Sequence, residues 1–422
     1  MYYDLKRANE GLPNPVSSDG SSTTSDDPTS TAATTPSLPK IECRLARPQD
    51  ELGTETVVFE FLNEGAANAV FCIRANLMQQ APCFTFVRDG RTIPLSKILG
   101  KVLRISKGKP KTLRCDEIVA GFEKEIKPMF RPRSPGNTSE ERGVMLPGGR
   151  QDPYALLPSV SFENFLMDHE LVYLSKDVMK ALLHVQYGPN EIPAAPLNEQ
   201  RGLLLPDMSP TPGMSLTLEL KPKWLAPSPN APKSSYRCRT CALHAKRLAN
   251  TDLDPPPYLC PLQLVAGNKD LITRLVKNKI SQHADGHTPL VMETVTDRAV
   301  DYLTAGPGHD LLLHLRRLQT QLDPKGVLWE PEREDIDQCT HRLRLAMTLR
   351  DCSLFLRIPY VCHKAPIEAK LVDLDFKSGD KVEDWYKKEV HLRNGGWYTN
   401  LDAGVDHCWI ADGWREHVPR YM

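Results

Sequence analysis

Apolar and polar residues alternate through Ser215-Leu-Thr-Leu-Glu-Leu220, the period of a half-buried strand. Leu216, Leu218 and Leu220 share one face; Thr217 and Glu219 share the other, and continued alternation adds Lys221 and Lys223 to it. Two ammonium groups at neighbouring same-face positions repel unless an anion sits between them. Val57–Phe61 and Val70–Ile73, separated by Asn63–Asn68, predict strand, turn, strand, and Thr92–Ile105 continues as strand-like material. Ser175 is a predicted helix N-cap ahead of Val178–Leu183. Helical periodicity predicts helices near 238–250, 268–282, 295–304, 309–322, 335–350 and 381–392, with strands at Asp351–Ile358 and Lys370–Phe376. Residues 11–40 are rich in Ser, Thr, Pro and Gly, which predicts a disordered segment (1–40), and Pro132–Pro153 reads as a Pro/Gly/Arg-rich loop. Strands early, helices later and strands returning suit a two-lobed α+β fold around a cleft. The expected division is a mostly β N-lobe over 41–220, a larger, helix-rich C-lobe over 221–400 and a tail over 401–422.

The 422 residues carry no net charge, 40% hydrophobic content and 25% charged content, as ordinary soluble domains do. Neutrality excludes a general polyanion-coating protein. The start lacks an apolar signal region and no apolar run reaches spanning length, so an intracellular protein of nucleus or cytoplasm is expected. Eleven scattered cysteines read as free thiols. Against the neutral background stand two acid-free basic runs. Lys101 to Arg114 holds six bases, and Lys221 to Arg247 holds seven. Such concentration calls for a small polyanion; the bland reading is a solvated basic edge.

Glu64-Gly65-Ala66-Ala67-Asn68 joins two predicted strands with small residues, so its backbone N–H groups can approach phosphate oxygens; the bland reading is a plain hairpin. Lys101, on the following strand, is placed as a phosphate-pairing lysine would be. Asp373, Asp375 and Lys377 share one predicted strand face, and Asp351 opens the preceding strand. If those strands pair, two carboxylates meet, one as a base and one as a Mg²⁺ ligand, although capping aspartates are commoner. Lys377, Lys381 and Trp385 recur at helical spacing. Cys238-Arg239-Thr240-Cys241 is half of a zinc knuckle, but no second Cys-x-x-Cys exists and neither His244 nor Cys260 has diagnostic spacing. The segment therefore counts chiefly for Arg237, Arg239, Lys246 and Arg247.

In order along the chain come Glu64-Gly65-x-Ala67-Asn68, Glu219-Leu220-Lys221-Pro222-Lys223, Arg237-Cys238-Arg239-Thr240-Cys241, Tyr258-x-x-Pro261-Leu262, Asp351-Cys352-Ser353 and Asp373-Leu374-Asp375-x-Lys377. This series resembles the inositol-pentakisphosphate 2-kinase family, its fungal members above all, over about residues 60 to 390. The resemblance implies a monomeric inositol-phosphate-kinase-like enzyme whose ligands are ATP, Mg²⁺ and inositol pentakisphosphate, with neither a membrane nor nucleic acid as primary partner. Its N-lobe would bind nucleotide and its C-lobe inositol phosphate. Glu64, Gly65, Ala66, Ala67, Asn68, Arg104 and Glu219 would contact nucleotide, and Lys221 would bridge nucleotide and inositol phosphates. Lys109, Lys223, Arg247, Lys377 and Lys381 would bind substrate phosphates. Asp351 would be the catalytic aspartate and, with Asp373, a metal ligand. The Cys/His zinc site of plant members has no counterpart between 320 and 350, so that zinc is not carried over. The alternatives are a non-catalytic inositol-phosphate-binding module and an RNA-binding protein.

Overall fold

The computed structural model describes residues 40–46, 55–65, 67–78, 82–109, 111–132, 160–188, 199–249, 258–282, 286–329, 336–362, 364–400 and 408–411. The expected disordered segment up to residue 39, nearly all of the Pro132–Pro153 loop and most of the tail lie outside the described residues.

Early strands form one sheet: β1 (Ile41–Leu45), β2 (Val57–Glu64), β3 (Asn68–Ala75), β4 (Phe84–Arg88), β5 (Arg91–Thr92), β6 (Lys101–Ser106), β7 (Glu170–Leu174) and β8 (Arg201–Pro206). Their order is β1-β7-β8-β6-β3-β2-β4-β5, and β1 also pairs with β4, so seven strands close into a barrel. Alternate side chains point inward, as closure requires. Phe59, Phe71, Phe84 and Phe86 meet edge to face inside it, with Leu103, Ile105 and Val172. Three early helices accompany these strands: α1 (Leu95–Ile98), α2 (Cys115–Gly121) and α3 (Lys176–Tyr187). Ser175 caps α3 by accepting a hydrogen bond from the Val178 N–H. The strand-like reading of Thr92–Ile105 is corrected at α1, where Pro94, with its fixed φ, leads into one helical turn.

The second sheet is antiparallel, in the order β11-β10-β9, from β9 (Ser215–Leu220), β10 (Ser353–Pro359) and β11 (Glu368–Val372). Around it lie α4 (Arg239–Leu248), α5 (Pro261–Val265), α6 (Lys269–Ser281), α7 (Pro289–Thr304), α8 (Pro307–Leu322), α9 (Ile336–Asp351) and α10 (Val382–Asn394). Leu216, Leu218 and Leu220 do bury one face of β9, against a core shared with Leu311, Leu315, Leu345 and Leu354. The architecture is thus mixed α+β, a closed barrel plus a helix-covered sheet. Chain order does not separate the two cores. Phe122, Ile126, Met129 and Phe130, between β6 and β7, pack in the second core, and β9 pairs with the late strand β10. Among the described residues no helix is long and apolar enough to cross a membrane.

Two strand expectations are corrected. Asp351 is the last residue of α9, ahead of β10, and Asp373 follows the end of β11 with φ +59°. Likewise Lys221 and Lys223 lie beyond β9, Lys223 at φ +57°. Alternation past Leu220 or Val372 therefore says nothing about facing.

The end of α9 is pinned from behind. The Arg350 guanidinium is buried 3.6 Å from the Trp224 ring centre and pairs with buried Asp323 at 2.5 Å. Gln319 of α8 donates to both Lys223 O (2.9 Å) and Leu349 O (3.2 Å), tying the loop after β9 to the last turn of α9. Replacing Asp323 with Ala strands a buried cation and should cost about 3–5 kcal/mol. Urea unfolding measures this, and an unchanged midpoint would contradict the pinning.

Candidate functional site

Strand register brings the charged residues together. Leu354 of β10 pairs with Leu220 of β9, and Ser353 pairs with Val372 of β11, so all three strands have an end at one level. There the chain leaves β9 into Lys221–Lys223, enters β10 from Asp351, and leaves β11 into Asp373–Lys377. Each segment has left the ladder, which frees its side chains to converge.

Asp351 is the centre. Lys223 Nζ lies 3.1 Å from Oδ1 and Lys377 Nζ 2.9 Å from Oδ2. Burial pushes the Asp351 pKa up, but the two ammonium groups outweigh it and hold it at about 2, below the ordinary 3.8. Lys377 is itself positioned: its N–H donates to Thr348 Oγ1 (3.2 Å), and its carbonyl accepts from Arg344 Nε (2.6 Å). Burial lowers the pKa of Lys381, as does the charge of Lys377, while the Asp351 and Asp375 carboxylates oppose the shift, so Lys381 belongs to the same electrostatic group.

A second cluster joins this one to the barrel. Arg104 of β6 is buried, and its guanidinium lies 2.8 Å from Asp375 Oδ1 and 3.8 Å from Asp373 Oδ1. Burial raises Asp375, but Arg104 more than offsets it and leaves the carboxyl below its usual range. Asp373 is raised, first by burial and then by the neighbouring Asp375 carboxylate. Two carboxylates facing one guanidinium offer oxygen donors, the donor type Mg²⁺ prefers. Beside them Glu219 accepts from Ser353 Oγ (2.9 Å), with Lys221 Nζ 3.6 Å away.

The turn between β2 and β3 lies at the same end of β6. Asn68 pairs with Ser106, and Val70 with Arg104, so Asn68 stands two residues from the Arg104 level. The Gly65 N–H donates to Asn68 O (2.8 Å), while Lys107 binds Glu64 (2.7 Å) and Gly65 O (3.1 Å). The structure describes Glu64, Gly65, Ala67 and Asn68; Ala66 lies outside the described residues.

Other expected residues stand elsewhere. Lys101 pairs with Glu170 and lines a different cavity of about 600 Å³, with Arg88 and Asp89, because it has the barrel-inner parity of Leu103 while Arg104 has the outer one. Lys109 is exposed and forms no hydrogen bond or ion pair with Asp351. Arg247 is exposed in the last turn of α4 and likewise forms none. The polyanion reading of Arg237 and Arg239 is corrected, since both are buried. Arg237 donates to the carbonyls of Trp397 and Asn400; Arg239 pairs with buried Glu389 at 2.7 Å beneath Trp224. Trp385 is buried and packs on Trp224 and Met347.

Three residues carried no local signal. Lys279 of α6 has its pKa lowered by burial and by the charge of Lys221, against the pull of Glu219, so it sits by the end of β9. His169 is held neutral near neutrality, at about 4, by burial and by Arg104, with its ring 4.2 Å from that of Phe122. Arg344 stacks on Phe376 at 4.1 Å while holding Lys377 O. A lysine, a histidine and an arginine of surface-like helices and loops gain these roles only through tertiary packing.

The model of the family described as inositol-pentakisphosphate 2-kinase matches residues 61–391. The chain is also similar to a protein of Yarrowia lipolytica (strain CLIB 122 / E 150) named inositol-pentakisphosphate 2-kinase. The alignment runs over 221 residues at 32% identity and covers 48% of this chain and 66% of that relative's length, just under two thirds.

The depressed Asp351 pKa gives a signed expectation. Its ion pairs stabilise the fold fully above the ordinary carboxylate pKa of 3.8, and that contribution fades as pH falls through about 2. In Lys223→Met/Lys377→Met the carboxyl should titrate near or above its ordinary value. Carbon-13 NMR of labelled Asp reads this, and a midpoint staying near 2 would refute the clasp.

Proposed function

The chain belongs to the inositol-pentakisphosphate 2-kinase family, and we propose that it transfers the γ-phosphoryl group of ATP to the 2-hydroxyl of inositol 1,3,4,5,6-pentakisphosphate, giving inositol hexakisphosphate. The observation that carries this reading is the Asp351 carboxylate clasped by Lys223 and Lys377 beside the Asp373–Asp375–Arg104 cluster. We read the barrel as the nucleotide-binding lobe and the helix-covered sheet as the inositol-phosphate-binding lobe, with the cleft at the strand ends.

Five phosphates carry charge on the order of −7 to −10 near neutral pH. Lys221, Lys223, Lys377 and Lys381 are assigned to them, and the exposed Lys109 and Arg247 extend the basic surface. The turn Glu64–Asn68, Arg104, Glu219 and Lys221 are assigned to the nucleotide. Asp373, beside Asp375, and Asp351 are assigned to Mg²⁺, which would supply charge neutralisation at the phosphoryl oxygens.

Asp351 acts as the base. The substrate hydroxyl gives its proton to Asp351, its oxygen bonds to the γ-phosphorus, and the bond from that phosphorus to the bridging oxygen breaks to release ADP. A carboxyl at about 2 is a weak base. Substrate phosphates that draw Lys223 and Lys377 toward themselves relieve this, so Asp351 gains basicity only when the acceptor is in place. The nucleic-acid alternative loses support because Arg237 and Arg239 are buried.

Asp351→Asn should lower kcat by about 10²–10⁴-fold and leave pentakisphosphate affinity within a few-fold. Near-normal turnover, with products separated by anion exchange, would overturn the assignment. Lys223→Ala should raise KM for pentakisphosphate more than KM for ATP; equal rises would contradict its placement on the acceptor.

A further inference from the structure

Phe376 stands between Asp375, which pairs with Arg104 of the barrel, and Lys377, which pairs with Asp351. The two charged clusters therefore meet across one apolar side chain, and that side chain is buried. From α9, the Arg344 guanidinium lies 4.1 Å from its ring centre and the His341 ring lies 5.3 Å away. From the barrel side comes Gly121, the last residue of α2. That helix lies on the outer face of the barrel, where Cys115 and Ile118 pack with Val102, Leu203 and Leu205. A Cβ at Gly121 would stand 3.0 Å from Phe376 Cβ and 3.5 and 3.6 Å from two of its ring carbons. The first distance is too tight, so Phe376 would have to yield by a few tenths of an ångström. Gly121 has an ordinary helical backbone, φ −64° and ψ −38°, so close approach and not conformation is what asks for glycine here. Beyond it the chain widens into a π turn, Phe122–Ile126, a geometry frequent at functional sites. Glu125 of that turn lies 3.0 Å from His341 Nε2, so one stretch of chain grips both the ring and its neighbour on α9.

We propose that Phe376 is a positioning residue for phosphoryl transfer and that the bare Gly121 backbone sets where it stands, an inference that rests on the kinase reading above. The ring carries no reacting group. It fixes the backbone between Asp375 and Lys377, so the acid that meets the barrel and the lysine that clasps Asp351 keep their spacing. The barrel thereby acts on the Asp351 cluster through a packing contact as well as through the Arg104 ion pair. Misplacement by about 1 Å is enough to cost about 10²-fold in rate.

Gly121→Ala separates positioning from stability, because alanine favours a helix over glycine. In the full chain it should leave the thermal midpoint close to that of the wild type. Its kcat per folded molecule, with folded fraction read by circular dichroism, should fall about 10–100-fold. Phe376→Leu should do the same to kcat while lowering the midpoint. In both, kcat should fall by a larger factor than KM rises for either ATP or pentakisphosphate. Phe130→Leu, at a wholly buried phenylalanine of the same core, should lower the midpoint as Phe376→Leu does and keep kcat near the wild-type value. Near-normal kcat in folded Gly121→Ala and Phe376→Leu overturns the proposal and leaves the kinase reading standing. An equal loss of kcat in Phe130→Leu also overturns it, since general loosening of the core would then suffice. Wild-type protein that turns over no pentakisphosphate refutes the kinase reading, and this role with it.

Discussion

A carboxylate between two ammonium groups, at the level where three strands stop, is the interaction on which the rest of the candidate site depends. β9, β10 and β11 are ordinary in themselves: one face lies against Leu-rich helices, and their register is set by that burial. Because their ends coincide, three connecting segments are forced into one small volume. Lys223 and Lys377 would repel there without Asp351, whose carboxylate stands between them. Gln319, Thr348 and Arg344 hold the backbones on which these charges ride, so the convergence is built into packing and does not rest on the ion pairs alone.

Arg104 is the strut between the barrel and this cluster. It sits on the outward parity of β6, so the same strand that gives Leu103 and Ile105 to the barrel core gives a buried guanidinium to the acids after β11. A surface pair in this role would be weak and screened. Burial makes the pair obligatory: either partner alone would be a desolvated charge.

What could be read from the chain followed the range of each signal. α8, with Leu311, Leu315, Leu318 and Leu322 on one face, and β9, with its alternating leucines, are local patterns that burial confirms. Barrel closure is not local, since β1 meets β7 after more than a hundred residues and pairs with it in parallel. Charge was the least legible quantity. The run from Lys101 to Arg114 contains no acid, yet Lys101 meets Glu170, Arg104 meets Asp375, Lys107 meets Glu64 and Lys111 meets Asp384. Arg239 is likewise neutralised by Glu389. Residues such as Lys223 and Asp351 could be picked out by type and company, but their contact required two strand ends to meet.

Lys223 and Asp373, on opposite sides of the Asp351 cluster, both occupy the left-handed backbone region, where a side chain costs about 1–3 kcal/mol. Glycine would suit the backbone better at each position and would carry no charge. Local comfort and electrostatic usefulness therefore pull in opposite directions at these two points. Any lineage that drifts toward an easier backbone here surrenders a charge, and any that keeps the charge must maintain a neighbourhood stiff enough to enforce an unpopular conformation.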